Sequence, residues 1–339
     1  MIKRKKVLLV AQNLDDMILD DSEILKKYFE VEILVIKSAG ELISKFWSLR
    51  RKIKNSDLCF IWFATSYAFF ATLFAKLNRK PSVLVVGGYD VVYVPEINYG
   101  LPGSAVKRIF PKYALKWANM VLPFSKDSEK EMFKNFEVER KKSRVIYLGA
   151  NPTALKKVTG KKENKVVTVG VVKKENLKRK GLEVFVRAAK SLPDTKFVLI
   201  GDMPDKETLD YLKEIATPNI QFKNLGYNTE KIVQELSKAK VYVQISYHEG
   251  FGRALAESMC QECVPVVSAR GAIPEVVGKT GFYVKDLESP EEVAEKIGLA
   301  LKSGNGKKAR KWASQYTLAR REKALLEVIN SLLSKKVEK

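Results

Sequence analysis

VYVQISYHEGFGRALAESMC, residues 241–260, decides the reading of this chain. Residues 241–245 read as a buried strand, residues 246–252 as the loop after it, and residues 253–260 as a helix. A helix that opens directly after a glycine-rich turn presents backbone N–H groups without intrahelical acceptors and a partial positive charge, so it can hold a phosphate. Gly250 and Gly252 remove the side chains that would keep a ligand away. Glu249 stands on the loop and Glu257 one turn inside the helix, so two carboxylates flank one anion-holding turn.

On both sides of this stretch, apolar runs of strand length alternate with amphipathic helical ones, which predicts parallel sheets covered by helices. Strands are expected at 7–10, 31–36, 58–63, 82–86, 121–124 and 145–147. After a lysine-rich connection at 156–165 they resume at 166–171, 197–200, 220–222, 241–245, 264–267 and 281–284. A chain of 339 residues with 46% hydrophobic content can fill two cores. The expectation is an α/β protein of two doubly wound Rossmann-like domains facing each other across a cleft, 1–155 and 156–310, with 311–339 helical. In such sheets the ligand lies beyond the carboxyl ends of the strands.

Composition narrows the partners. The balance of 61 Lys and Arg against 39 Asp and Glu leaves +22, so nucleotide phosphates, an anionic membrane face or nucleic acid is expected to bind. The cations are spread along the whole chain without interleaved stacking aromatics, which argues against nucleic acid. Cys59, Cys260 and Cys263 are too few for a disulfide framework and imply a reducing, cytoplasmic setting. Cys260 and Cys263 read as a helix end packed on the sheet, because zinc would need a second ligand pair. The basic residues 1–6 precede an apolar run of strand length only, so no signal peptide is expected. Residues 58–75 lack charge over about eighteen positions, near the lower limit for a membrane span, but residues 65–67 interrupt them. A strand at 58–63 followed by a helix at 66–78 explains the run. Leu42, Ile43, Phe46, Leu49 and Ile53 recur at helical spacing beside Lys45, Arg50, Arg51, Lys52 and Lys54. That pattern predicts a helix whose stripe packs inward while Trp47 and the basic residues face an anionic membrane surface.

The run YHEGFGRALAE (247–257), with VPVVS (264–268) and GAIPEVV (271–277), resembles the signature of family-four glycosyltransferases of the GT-B fold, the glycosyl transferases group 1. The seven residues between the two glutamates are specific in that company. The resemblance is strong over about 145–285 and weaker before it. It implies retaining, metal-independent transfer of a hexose from a nucleoside-diphosphate sugar, with no cofactor, to a glycan acceptor. The basic amphipathic segment at 42–54 adds the expectation that the acceptor is a lipid-linked or cell-surface glycan precursor at the inner face of the cell membrane.

The same resemblance assigns residues. Glu249 is implied to contact the transferred sugar and Glu257 the ribose, while Gly250 and the amides of Phe251, Gly252 and Arg253 meet the hexose or distal phosphate. Negative charge grows on the departing diphosphate, so cations should be aimed at it. Lys180, next to Gly181, matches the family lysine; Val171 stands where an arginine is common, leaving Arg179 or Lys173 to supply that charge. Tyr227 offers the base a stacking face, and Asn13 follows the first strand within reach of the donor. In VVGGYD (85–90), Tyr89 replaces a frequent histidine and leaves Asp90 as the ionisable candidate. His248 is the sole histidine and no Asp-x-Asp motif occurs in a suitable context, so no metal site is expected. The family's last helix crosses back to the first domain, with Trp312, Tyr316 and Leu326 as candidates for that packing. Alternatives on the same fold are a sucrose- or trehalose-type synthase, an epimerase, or a sugar-nucleotide binder without catalysis.

Overall fold

The computed structural model describes residues 4–156, 158, 160–226 and 228–334. It divides into two compact units, Met1–Leu148 with Leu318–Lys339, and Gly149–Thr317.

The first unit is built on five parallel strands: β1 (Lys6–Ala11), β2 (Glu30–Val35), β3 (Leu58–Trp62), β4 (Ser82–Val86) and β5 (Met120–Pro123). Their order is β2-β1-β3-β4-β5, with Val7 of β1 opposite Val31 on one side and Leu58 on the other. Helices cover both faces of such a sheet, so its inner strands are apolar throughout; every residue of β3 and β4 is buried. The uncharged run at 58–75 resolves into β3 and the helix Ser66–Leu77, and no described helix is long and apolar enough to cross a membrane.

Two expectations for this unit need correction. Residues 145–147 form no strand. Arg144 N and Ile146 N donate to the β5 carbonyls of Val121 and Pro123 at 3.1 and 2.9 Å. The Ile146 and Tyr147 carbonyls, however, accept from the Arg321 guanidinium at 2.9 and 3.1 Å, so no ladder develops. Arg321 also donates to both oxygens of Asp21 at 2.6 and 2.7 Å, a buried bidentate pair that fastens the helix Leu318–Ser334 to this unit. The single helix read over 42–54 is two, Ala39–Ser44 and Phe46–Lys54, broken at Lys45. Leu42, Leu49 and Ile53 are buried and Phe46 packs on Phe70 and Phe74, whereas Ile43 points outward.

The second unit holds β6 (Glu163–Val169), β7 (Lys196–Gly201), β8 (Ile220–Asn224), β9 (Ala239–Gln244), β10 (Val264–Ser268) and β11 (Phe282–Val284). All neighbours pair in parallel, in the order β8-β7-β6-β9-β10-β11. The chain winds outward from β6 to β8, returns to β9 beside β6, and winds outward the other way. The winding direction therefore switches between β6 and β9, where open α/β sheets leave a crevice beyond the strand ends.

The unit limits differ from the expected 155/156 and 310/311. The helix Pro152–Leu155 stays with the second unit because Gln261 Nε2 donates to Ala154 O at 2.6 Å and Arg310 Nη2 to Leu155 O at 2.9 Å. The helix Gly306–Ala313 stays there too: Trp312 Nε1 donates to Val276 O at 2.9 Å and Tyr316 OH to Glu275 O at 2.8 Å. Of the three residues named for the returning helix, Leu326 alone lies on it.

Candidate functional site

The two loops that border the switch point of the second sheet are joined to each other. After β6 the chain forms the short helix Lys174–Arg179, then Lys180 and Gly181; after β9 it runs from Ile245 to Gly252 and into the helix Arg253–Cys260. Tyr247 N donates to Arg179 O at 2.9 Å. Gly181 sits at φ 65°, and a Cβ there would come within 2.7 Å of Ile245 O, so only glycine lets the loops approach this closely.

That approach places the Lys180 ammonium on Glu249 Oε1, which also accepts from Ser246 Oγ at 3.1 Å. The Lys180 and Glu249 side chains are 22% and 12% exposed, so the pair is shielded yet still open to a ligand. Burial pushes the Glu249 carboxyl up, but the charges of Lys180 and Arg179 and the Lys180 hydrogen bond outweigh it and hold the group below the usual carboxylate range. The backbone of Glu249 is fixed from the turn after β10: Ala272 N donates to Glu249 O at 2.9 Å. Gly271, at φ 58°, would set a Cβ 2.5 Å from that carbonyl and 2.9 Å from Glu249 N. An ionised carboxylate and an ammonium are thus held beside the glycine-rich turn that opens the helix Arg253–Cys260.

Glu257 lies one turn into the helix and is buried; its Oε1 accepts from Arg253 Nε at 2.9 Å and from Asn151 N at 3.0 Å. Arg253 accordingly lies along its own helix towards Glu257. Gly252 opens that helix at φ 85°, a conformation that disfavours side chains. Phe251 is buried with its ring 5.2 Å from that of Tyr316, which leaves only its backbone for a ligand. Arg179 donates to Asn176 Oδ1 from Nη2 at 2.7 Å and from Nε at 3.0 Å, and Lys173 pairs with Glu175 at 2.8 Å. Tyr227 lies outside the described residues.

Residues 153–317 match the family model described as glycosyl transferases group 1. That match spans nearly the whole of the second unit, Gly149–Thr317. The chain is 25% identical over 179 residues to the MMP alpha-(1->4)-mannosyltransferase of Mycolicibacterium hassiacum, covering 52% of this chain and 43% of that protein. It is 31% identical over 123 residues to the 2-deoxystreptamine N-acetyl-D-glucosaminyltransferase of Niallia circulans, covering 34% of this chain and 30% of that one. The chain thus matches less than half the length of either relative. Its fold resembles that of Anabaena HepE in complex with UDP, with a TM-score of 0.77 at 17% identity over 96% of this chain and 100% of that one. Sucrose-phosphate synthase from Thermosynechococcus elongatus gives 0.77 at 15% identity over 98% and 100%. Both domains are parallel α/β sheets, as the GT-B fold requires.

The remaining sequence-derived candidates are divided between the two units. Cys260 and Cys263 are buried, and burial pushes both thiols up to about 11. Cys263 Sγ donates to Leu236 O at 3.2 Å, which is packing chemistry. Among the described residues no three His, Cys, Asp or Glu side chains converge as a metal set. In the first unit, Asn13 is exposed on the loop after β1. Asp90 is almost wholly buried: Oδ2 accepts from Ala64 N at 3.0 Å, and Oδ1 from Gly88 N at 3.0 Å and Gly87 N at 3.3 Å. Burial raises its pKa against those three donors. Its side chain braces the loop after β3 against the loop after β4.

Sequence reasoning missed Ser246, Asn151 and the part played by Gly271. Ser246 stands three positions before Glu249, a spacing at which a loop hydroxyl reaches a carboxylate. Asn151 carries no such signal, since it meets Glu257 through its backbone amide across more than a hundred residues of chain.

Proposed function

We propose that the chain is a retaining glycosyltransferase that moves a hexose from a nucleoside-diphosphate sugar to a lipid-linked or cell-surface glycan precursor, with neither metal nor cofactor. The observation that carries this is the Lys180–Glu249 pair on the two loops of the switch point, inside the stretch that matches the group 1 family model. The two relatives are a mannosyltransferase and an N-acetyl-D-glucosaminyltransferase, and HepE has been crystallised with UDP and glucose.

In this reading Glu257 accepts a ribose hydroxyl, and the amides of Gly250, Phe251, Gly252 and Arg253 at the helix start take the hexose and distal phosphate. Glu249 accepts from a hexose hydroxyl. As the glycosidic bond breaks, the electron pair and negative charge go to the diphosphate, where Lys180 and the more distant Arg179 meet them. The departing phosphate oxygen takes the acceptor's proton on the face it leaves, so the new bond forms on that face and the configuration is kept. Asn13 and Tyr227 are kept as donor contacts. Asp90 serves as a brace, because its oxygens are committed to backbone amides.

Release of nucleoside diphosphate from UDP-, GDP- and ADP-hexoses tests the reading. One base should support turnover that Lys180→Ala lowers at least ~100-fold with a smaller effect on KM, since the charge is largest in the transition state. No release from any donor, or release unaffected by Lys180→Ala, overturns it.

A further inference from the structure

Three helices of the first unit lie side by side on one face of its sheet: Phe46–Lys54, Ser66–Leu77 and Ile109–Trp117. Leu49, Ile53, Ala71, Phe74, Ala114 and Leu115 share one core with alternate residues of β1, β3 and β4. An aromatic seam runs between the helices, with Phe46 on Phe70 at 5.5 Å and Phe69 on Phe110 and Trp117 at 5.9 and 5.1 Å between ring centres. Each helix also sets a cation near an aromatic face: Arg50 5.7 Å from Trp47, Lys76 5.9 Å from Trp117, and Lys112 6.0 Å from Tyr113.

The outer side of this layer combines two features that water alone does not favour. Trp47, Leu77 and Val106 are 69%, 68% and 73% exposed, with Ile43 and Ile109 also outward. Residues 45–54, 66–80 and 104–117 together hold twelve Lys and Arg and no Asp or Glu; Lys45 and Lys52 are paired with Glu41 and Glu32 of neighbouring segments, and Arg50, Arg51, Lys54, Lys76 and Lys112 are exposed. A surface core would bury the large apolar groups, and a solubilising surface would mix both signs of charge. Aromatic side chains and cations together match the interfacial layer of an anionic bilayer, where rings sit at headgroup depth and Lys and Arg meet phosphates.

We propose that this three-helix face docks the chain on an anionic lipid bilayer, with Trp47, Leu77 and Val106 entering the headgroup layer and Arg50, Arg51, Lys54, Lys76 and Lys112 meeting lipid phosphates. The docking surface is wider than the basic helix read from sequence, since two further helices complete it. At one end of the layer a cavity of about 270 Å³ has Lys37, Ser66, Lys107 and Phe110 among its lining residues. This specifies the membrane partner within the proposed function, and it is tested by binding alone, independently of sugar transfer.

The experiment is co-sedimentation of the full chain with vesicles of phosphatidylglycerol or of phosphatidylcholine. Binding to phosphatidylglycerol at ~50 mM salt, falling steeply as salt rises, is expected, with none to phosphatidylcholine. Each headgroup-proximal cation contributes about five-fold, so Arg50→Glu, Arg51→Glu and Lys54→Glu together should weaken partitioning at least ~100-fold. An equal charge change in the second unit, Lys190→Glu, Lys213→Glu and Lys302→Glu, should act far less. Trp47→Ala should weaken binding even in low salt. The proposal is overturned if the chain ignores phosphatidylglycerol, if both triple variants lose binding equally, or if Trp47→Ala has no effect while RNA binds as tightly as vesicles. Retained nucleotide binding in the face variants separates a docking failure from a failure of the transferase reading.

Discussion

The Lys180–Glu249 pair offers the sharpest test of how the second unit is organised, through a double-mutant cycle of Glu249→Gln and Lys180→Met. A hydrogen bond between charged groups is worth ~1.5–3 kcal/mol when well shielded. With side chains 22% and 12% exposed, solvent screening reduces the coupling to about 1–2 kcal/mol. Each single change should cost more than the coupling, because Lys180→Met leaves Glu249 sheltered with Ser246 as its neutral partner. The sign with pH follows from the lowered pKa of Glu249. A carboxyl whose folded pKa lies below its ordinary value of 4.5 contributes stability that is complete above that value and is lost as pH falls through the folded pKa. Thermal unfolding of the four proteins from neutral pH down to about pH 4 should show a coupling that is constant at first and shrinks only at the acid end. A coupling below ~0.3 kcal/mol at neutral pH, or one that grows on acidification, refutes the pairing as described.

Further outcomes are expected. Glu257→Ala should weaken nucleoside-diphosphate binding by ~1–3 kcal/mol in calorimetry, and an unchanged affinity would remove it from the ribose contact. Glu249→Gln should lower turnover at least ~100-fold with nucleotide affinity nearly kept; equal losses in both would contradict a role confined to the hexose. Asp90→Asn turns an amide donor towards backbone donors and should destabilise the first unit by ~1–3 kcal/mol while nucleotide binding is retained, whereas an unchanged unfolding midpoint argues against the brace. Chelation by EDTA should leave turnover unchanged; loss restored by magnesium or manganese would overturn the metal-independent mechanism.

Most of the architecture was legible because strands buried on two faces leave continuous apolar runs. β4 coincides with its expected limits, and the uncharged run at 58–75 divides into strand and helix where Thr65 and Ser66 interrupt it. Part of what failed depended on partners distant in sequence. Residues 145–147 look like a strand until Arg321 takes their carbonyls, and nothing local announces an arginine about 175 positions away. The break at Lys45 arises because Ser38 and Lys45 delimit separate helices, although the apolar spacing continues through both. At the site, Glu249 and Lys180 were found by motif and stand together, while the brace formed by Asp90 could not be told from an ionisable ligand contact by sequence. A carboxylate after two glycines suits either role; only its amide partners distinguish them.

Calorimetric titration of the full chain with UDP, GDP and ADP tests the central claim most directly. One base should bind with a Kd at or below ~100 μM and be weakened at least ~5-fold by Glu257→Ala, with the other two bases weaker. Binding of none of the three below ~1 mM would contradict a sugar-nucleotide site at the loops after β6 and β9.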